Sequence, residues 1–224
     1  MKIKKNFDFK NYKNRFYEET CIIVGTGPSL NKTDLNKIKN FKIFGVNNGY
    51  LINELKYDFF CVSDYYVWNY HKNKIKKKLD NYTNLFVTND CFDDCALNRL
   101  IKIKKLNYIN EKSNIDIQKG VFLGDTVIIV CLQIAYYMGF KYIGLIGCDC
   151  NYDSSGIHHF DGSSVANYVR EDWNPVFEYY KTCKKIMKNS FIFNSTVGGK
   201  LEVFPRISLS SLEFLENTNK NTLI

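Results

Sequence analysis

Cys21-Ile22-Ile23-Val24-Gly25-Thr26-Gly27-Pro28-Ser29-Leu30 runs from four apolar residues straight into Gly-x-Gly-Pro-Ser, then into the amphipathic segment Leu30–Ile38. That order predicts a buried strand, a tight glycine turn and the start of a helix. Glycine lets the backbone approach a ligand closely, and a helix N-terminus offers free N–H groups and positive potential to a phosphate. Gly25 and Gly27 match only the opening of the dinucleotide-binding fingerprint, whose third glycine is missing, and no lysine stands where an ATPase phosphate loop has one. The same residues also suit a plain chain reversal. Gly25, Thr26, Gly27 and Ser29 are therefore candidate nucleotide contacts.

Outward from this stretch, short apolar runs recur at Cys21–Val24, Lys42–Val46, Asp58–Val62, Asn84–Val87 and Tyr142–Ile146. Between them lie segments of helical character at Asn31–Lys39, Tyr70–Leu79 and Thr126–Met138. Such alternation predicts an α/β, Rossmann-like, mainly parallel sheet with helices on both faces. Thr126–Met138 is apolar nearly all round and reads as a central helix under the sheet. Gly124-Asp125-Thr126 supplies its N-cap and Gly139 its end. No internal repeat or linker interrupts the chain. We expect a basic leader over 1–18, one α/β nucleotide-sugar-binding domain over 19–208 and a C-terminal helix or tail over 209–224. The segment Asp153–Asp172, rich in Gly and Ser, reads as a loop.

The chain of 224 residues, 45% of them hydrophobic, is long enough for one sizeable core and too apolar for general disorder. No apolar run reaches the roughly 18 residues of a membrane span. Met1–Tyr17 is basic and lacks the apolar core of an export signal. Of the eight cysteines, Cys21, Cys61, Cys131 and Cys148 fall in predicted strands or helix, where they serve as small buried hydrophobes. Cys91-x-x-x-Cys95 and Cys148-x-Cys150 lack partner Cys/His pairs, which argues against a zinc site. A reducing cytoplasm fits this usage. The net charge of +8 comes largely from runs at Lys2–Lys5, Lys72–Lys78 and Lys102–Lys105, which read as solvated helix faces. No nucleic-acid-reading motif accompanies them, and attraction to an anionic membrane or to phosphorylated substrates fits them as well.

In open parallel sheets, ligands bind at the carboxyl ends of the strands, near the point where strand order reverses. The polar clusters after each apolar run are then informative: Gly25–Ser29, Asn47-Asn48-Gly49, Ser63-Asp64-Tyr65-Tyr66, Thr88-Asn89-Asp90 and Gly147-Cys148-Asp149-Cys150-Asn151-Tyr152. One such cluster is ordinary turn chemistry, but five at one edge offer amides and carboxylates suited to a nucleotide's base and ribose. Gly124-Asp125-Thr126 adds a second helix N-terminus at that edge. Asp125 also reads as a simple N-cap, with the N–H groups of Thr126 and Val127 turned toward any bound phosphate.

Two of the three histidines are adjacent, His158-His159, in the loop after Asp149. Imidazole exchanges protons near neutral pH, so either is a candidate general base, and a loop-anchoring role is equally consistent. His71 sits among lysines and reads as solvated.

The motifs Ile22–Leu30, Val46-Asn47-Asn48, Gly124–Val127 and Tyr142–Asp149, in this order, resemble the bacterial lipooligosaccharide sialyltransferases. They are also similar to the related domain family that includes the archaeal hydroxymethylpterin diphosphokinase. The resemblance spans about Cys21 to Tyr152. His158-His159-Phe160 and Asn194–Arg206 look like segments of members encoded with surface-polysaccharide genes. In the sialyltransferases the matching glycine turn, asparagines and helix N-terminus hold a CMP-activated sugar. The resemblance therefore implies Gly25, Thr26, Gly27, Asn47 and Gly124–Thr126 as nucleotide contacts. It departs at Thr26, where a family member has asparagine, and at Tyr152, which stands three residues after Asp149 rather than two. The family's catalytic histidine lies well downstream of His158 and His159, so their role rests on chemistry.

The leading expectation is a cytoplasmic, metal-independent and cofactor-free glycosyltransferase, placed at the inner face of the cell membrane where it meets its substrates. It uses a nucleotide-activated sugar, CMP-linked sugars included, to extend a glycan or lipid-linked glycan acceptor of the cell surface. His159 or His158 serves as base with Asp149 lining the site, while Asn47, Asn48, Asp64, Asp125, Thr126 and Tyr152 join the nucleotide contacts. Lys200 and Arg206 are candidate cations for the leaving phosphate, or anchors of the C-terminal segment. Two other readings stay open. One is an ATP-dependent diphosphokinase of a pterin-like alcohol, drawing on magnesium held by Asp64, Asp125 and Asp149. The other is a nucleotide-binding module without catalysis, and self-association is compatible with all three.

Overall fold

A computed structural model describes residues 9–79, 83–88, 100–107, 109, 113–151, 156–163 and 170–212. Strands β1 (Thr20–Val24), β2 (Lys42–Val46), β3 (Phe59–Val62), β4 (Asn84–Thr88), β5 (Leu100–Ile103), β8 (Tyr142–Ile146) and β9 (Phe191–Asn194) form one sheet, in the order β5-β4-β3-β2-β1-β8-β9. Every pairing in it is parallel. A separate parallel pair joins β6 (Lys105–Leu106) to β7 (Val121–Phe122). Strand order runs outward from β1 to β5 on one side and from β8 to β9 on the other. The reversal therefore falls between β1 and β8, at the centre of the sheet.

Because both faces are covered, the central strands are apolar throughout rather than alternating, and all five residues of β1 are buried. Successive side chains still part to opposite faces. Cys21, Ile23, Phe44, Val46, Phe59 and Cys61 enter one core with α2 (Val127–Tyr137) and α3 (Asn174–Ile186). Ile22, Val24, Ile43, Phe60 and Val62 enter the other with α1 (Tyr65–Lys78). The predicted α/β sheet with helices on both faces is the observed one.

Helix α2 is buried almost completely, as its lack of a polar face requires. Its one polar residue, Gln133, donates from Nε2 to the carbonyls of Phe122 (2.6 Å) and Ile129 (2.9 Å), while its Oε1 accepts from the Phe122 N–H (3.0 Å). The amide thus ties α2 to β7 with its hydrogen-bonding capacity well used. Thr126 is the N-cap, and Gly139, at φ +89°, follows the C-cap Met138. Beneath α2, Phe44 stacks on Phe59 at 4.5 Å, and both meet the ring of Phe140 edge-on. Phe16, from the segment read as a leader, stacks on Phe140 at 4.8 Å, and its N–H donates to the Met138 carbonyl.

Several expectations are corrected. The helix read over Asn31–Lys39 is two short 3-10 turns, Pro28–Lys32 and Leu35–Ile38. Helix α1 begins at Tyr65, five residues before the predicted start, because Asp64 caps it by accepting from the Val67 N–H at 3.0 Å. The lysine run at 102–105 lies in β5 and β6 rather than on a helix face. β5, β9 and α3 were not foreseen. Cys91, Cys95, Asn89, Asp90 and the end of the chain from 213 lie outside the described residues.

Phe44→Ala removes the ring that packs against both Phe59 and Phe140. It is expected to cost about 3–5 kcal/mol, seen as a fall of roughly 6–20 °C in the thermal unfolding midpoint. A fall of less than about 3 °C would mean that this cluster does not carry the core.

Candidate functional site

The turns that follow β1 and β8 are locked into each other. Gly25 N–H donates to the Ile146 carbonyl (2.8 Å) and Gly27 N–H to the Gly147 carbonyl (2.9 Å). A Cβ on Gly25 would run into the Gly147 carbonyl, and one on Gly27 would occupy the place of the Asp149 carboxylate. These glycines are therefore required by contact between loops. Asp149 Oδ2 accepts from the Ser29 hydroxyl (2.7 Å) and Oδ1 from the Ser29 N–H (3.3 Å). Burial pushes the Asp149 carboxyl above its ordinary range, and the Ser29 donors and Lys32 pull it partly back.

A third loop closes on the same residue. Gly199, at φ +74°, leaves no room for a side chain beside the Asp149 backbone, and Lys200 N–H donates to the Asp149 carbonyl at 2.7 Å. Thr196 Oγ1 accepts from the Cys148 N–H at 3.1 Å. Arg206 is consumed in holding that loop, donating to the carbonyls of Thr196, Gly198 and Gly199 and pairing with Glu202. It is an anchor, whereas the exposed Lys200 has no side-chain bond among the described residues. The helix start expected after the glycine turn takes another form here. The turn is a five-residue 3-10 segment, and the Ser29 N–H already serves Asp149.

The histidine loop folds onto this turn. Phe160 N–H donates to the Thr26 carbonyl (2.9 Å), and Asn31 Nδ2 donates to the Phe160 carbonyl (2.9 Å). His159 Nδ1 lies 3.0 Å from Thr26 Oγ1. Burial holds its pKa below the ordinary 6.5, against the upward pull of Asp161. His158 is 5% exposed, and its neighbour His159 is the one turned to the glycine turn. Both histidine N–H groups donate to the Ser163 carbonyl. Asp161 Oδ1 in turn accepts from Ser163 Oγ at 2.6 Å, and Asn48 Nδ2 makes a long 3.5 Å contact with that hydroxyl. Thr26, Asn48, His158 and His159 are thus brought together. Phe160 holds the loop as its place beside His159 suggests, whereas Asn31, Asp161 and Ser163 were missed in the sequence, where nothing marks them beyond adjacency to the two motifs.

Among the described residues five buried side-chain polar atoms have no partner: Thr20 Oγ1, Trp68 Nε1 and the amide oxygens Asn47 Oδ1, Asn48 Oδ1 and Asn151 Oδ1. Each asparagine follows the carboxyl end of β2 or β8. An unpaired buried carbonyl costs about 1–3 kcal/mol, so the asparagine oxygens, grouped at one sheet edge, mark it as the candidate binding edge. Asn47 also holds φ +43°, and Cys150, next to Asn151, holds φ +49°.

Other predicted residues are placed elsewhere. Asp64 is spent on its cap. It follows β3, three strand spacings or roughly 14 Å from β8 and Asp149. Thr126, not Asp125, caps α2, and its N–H is used by the Leu123 carbonyl. Asp125 (φ +57°) pairs with Arg170 at 3.6 Å, and Gly124 (φ +56°) packs against Ile129. His71 is not merely solvated, because its Nδ1 lies 2.9 Å from the Tyr50 hydroxyl. Tyr152 lies outside the described residues.

The Asp149 geometry sets a pH test. The folded state holds this proton more tightly than the unfolded chain. The stability it contributes is thus present below the ordinary value of 3.8 and lost as pH rises through the raised one. Asp149→Asn removes that dependence, so its unfolding midpoint should gain on the parent's as pH rises above 3.8. Asp149→Ala, which strands both Ser29 donors, should melt lower at every pH. Parallel midpoint-versus-pH curves for parent and Asn variant would refute this account of the interlock.

Comparison with known proteins adds three findings. No curated protein matches the chain. The MAf glycosyltransferase from Magnetospirillum magneticum AMB-1 shares its fold with a TM-score of 0.56 at 15% identity, covering 96% of this chain and 40% of that one. The chain therefore spans about two fifths of that protein's length. The sialyltransferase CST-II, solved with a trisaccharide acceptor and CMP, gives a TM-score of 0.46 at 18% identity, covering 79% of this chain and 80% of its own. The profile described as 6-hydroxymethylpterin diphosphokinase MptE-like matches residues 1–155, more than half of the chain. The chain belongs to the MptE-like family.

Proposed function

We propose that this protein is a glycosyltransferase that moves a sugar from a nucleotide-activated donor to a hydroxyl of a cell-surface glycan or lipid-linked glycan. The observation that carries the reading is the half-buried His159 imidazole set against Thr26, at a sheet edge where the buried Asn47, Asn48 and Asn151 oxygens lack partners. The fold shared with the MAf glycosyltransferase supports it.

In this reading Asn47, Asn48 and Asn151 accept from the amino group of a base such as cytosine or from ribose hydroxyls. Asp149 positions the turn through Ser29. His159 Nδ1–H donates to Thr26 Oγ1, which leaves Nε2 as the base. Nε2 takes the acceptor hydroxyl proton as that oxygen bonds to the anomeric carbon, while the bond from that carbon to the phosphate oxygen breaks. Lys200 stabilises the departing nucleotide phosphate. Residues 19–208 act as the nucleotide-sugar-binding unit, with 1–18 and 209–224 as its flanks. Among the described residues no helix is long and apolar enough to cross a membrane. We place the protein in the cytoplasm at the inner membrane face, held there by its positive charge.

The family description favours a second reading, a magnesium-dependent diphosphokinase of a pterin-like alcohol. The carboxylates named for that metal, Asp64, Asp125 and Asp149, each serve a different partner. Turnover of nucleotide sugars against turnover of ATP with a pterin alcohol, each with and without chelator, separates the two.

His159→Ala should lower transfer by about 10²–10⁴-fold while donor binding persists. Since burial lowers its pKa, the imidazole stays a free base further into acid than usual, and the acid limb of kcat/KM should fall below pH 6.5. Transfer by the alanine variant within about threefold of the parent would remove His159 from the mechanism.

Asn47→Gly deletes an unpaired amide and relieves a left-handed backbone at once. It should leave the unfolding midpoint equal or higher and weaken the best of CMP, UDP, GDP and ATP about tenfold. Unchanged affinity for all four by calorimetry would sink the nucleotide assignment.

A further inference from the structure

We infer that the cleft beside Phe160 is a glycan subsite selective for neutral or amino-bearing sugars over acidic ones. The cleft holds about 440 Å³ and lies between the 3-10 turns after β1 and the chain that follows β2. That volume falls within the roughly 300–1,000 Å³ typical of small-ligand sites. Its walls combine Phe160 and Leu51 with Asn31, Asn53, Asp34 and Glu54. An apolar ring takes the C–H face of a sugar, while amides and carboxylates bond its hydroxyls from the edge. A compact apolar ligand would take the Asp34 and Glu54 carboxylates out of water without replacing it. An anionic one would face two carboxylates across a lining that holds no lysine or arginine. Lys39 and Lys78, the cations bonded to its residues, donate from outside the lining to Asn36 (2.8 Å) and Asn53 (2.7 Å).

This local acidity runs against a chain whose net charge is +8. Nor is the cleft remote from the chemistry. Phe160 follows His159 directly and is bonded to Thr26 on one side and Asn31 on the other. The cleft therefore borders the segment that carries the base. The naming of a glycan as occupant rests on the glycosyl-transfer reading, and the selectivity rests on the lining.

The test is saturation-transfer NMR and titration of the full chain with lactose, a glucosamine disaccharide and a sialylated lactose, with CMP, UDP, GDP and ATP titrated in parallel. The neutral and amino sugars should bind, and the sialylated one about tenfold more weakly or not at all. Glu54→Lys, a change at an exposed side chain, should erase that discrimination. Phe160→Ala should weaken lactose, and Phe160→Trp should restore it. Equal or tighter binding of the sialylated sugar, or lactose binding indifferent to both positions, overturns the assignment. Nucleotide binding without any sugar binding overturns the cleft and leaves the transferase reading standing. Sugar binding without nucleotide binding does the reverse.

Discussion

The seam between β1 and β8 is where an open parallel sheet is hardest to close, because chain connections leave it toward opposite sides. Here the seam is filled by protein. The Gly25–Gly27 turn yields its side-chain space to the Gly147 carbonyl and the Asp149 carboxylate, and Ser29 repays the carboxylate with two donors. A buried carboxylate without such donors is costly, and an Ala in place of Gly27 would evict it. The interlock has a spatial consequence. With the switch point occupied, the groups available to a ligand are displaced to its margins, namely the unpaired Asn47, Asn48 and Asn151 oxygens and the imidazole seated on Thr26.

The sheet was legible because burial on both faces demands uninterrupted apolar residues. Lys42–Val46 and Tyr142–Ile146 are strands to the residue, and the buried helix at Val127–Tyr137 follows from its lack of a polar face. The failures have local causes. Pattern suggested one helix after Leu30, but Thr33 bonds back to the Ser29 carbonyl and the Asp34 carboxylate takes the Asn36 N–H. Such short polar side chains offer the backbone an alternative to helical bonding. β5 was hidden because Lys102 interrupts its apolar run, and β9 because it holds only four residues, one of them the exposed Phe191. Helix α3 buries Val176, Tyr180 and Cys183 at helical spacing, a signal obscured by the loop it follows.

The site was legible as an edge but not as a set of roles. Composition alone cannot separate an aspartate that caps a helix from one that faces a ligand. Asp64, Asp125 and Asp149 look alike in the sequence, yet one caps α1, one pairs with Arg170 and one is buried against Ser29. The asparagines are set apart by unpaired buried oxygens that share one edge of the sheet, which no spacing reveals. The glycine motif was read for a ligand, and its steric need proved to be a neighbouring loop. A backbone that must approach something closely leaves the same mark whether that something is phosphate or protein.

The loop carrying the histidines then gains its importance from what it joins. Its Ser163 carbonyl gathers both histidine N–H groups, while Asp161 fixes the Ser163 side chain and Asn48 reaches the same hydroxyl from the end of β2. At its other end Phe160 is bonded through both its N–H and its carbonyl to the segment after β1. Bonds at both its N–H and its carbonyl fix the Phe160 backbone, so the main chain of the His159–Phe160 segment keeps a set place against the turn after β1. Catalysis by a positioned base depends on such fixity, because proton transfer requires the base within hydrogen-bonding reach of the hydroxyl it serves. The depressed pKa of His159 follows from the same packing. The burial that sets the ring against Thr26 also disfavours its charged form, so the contact and the shift have one cause.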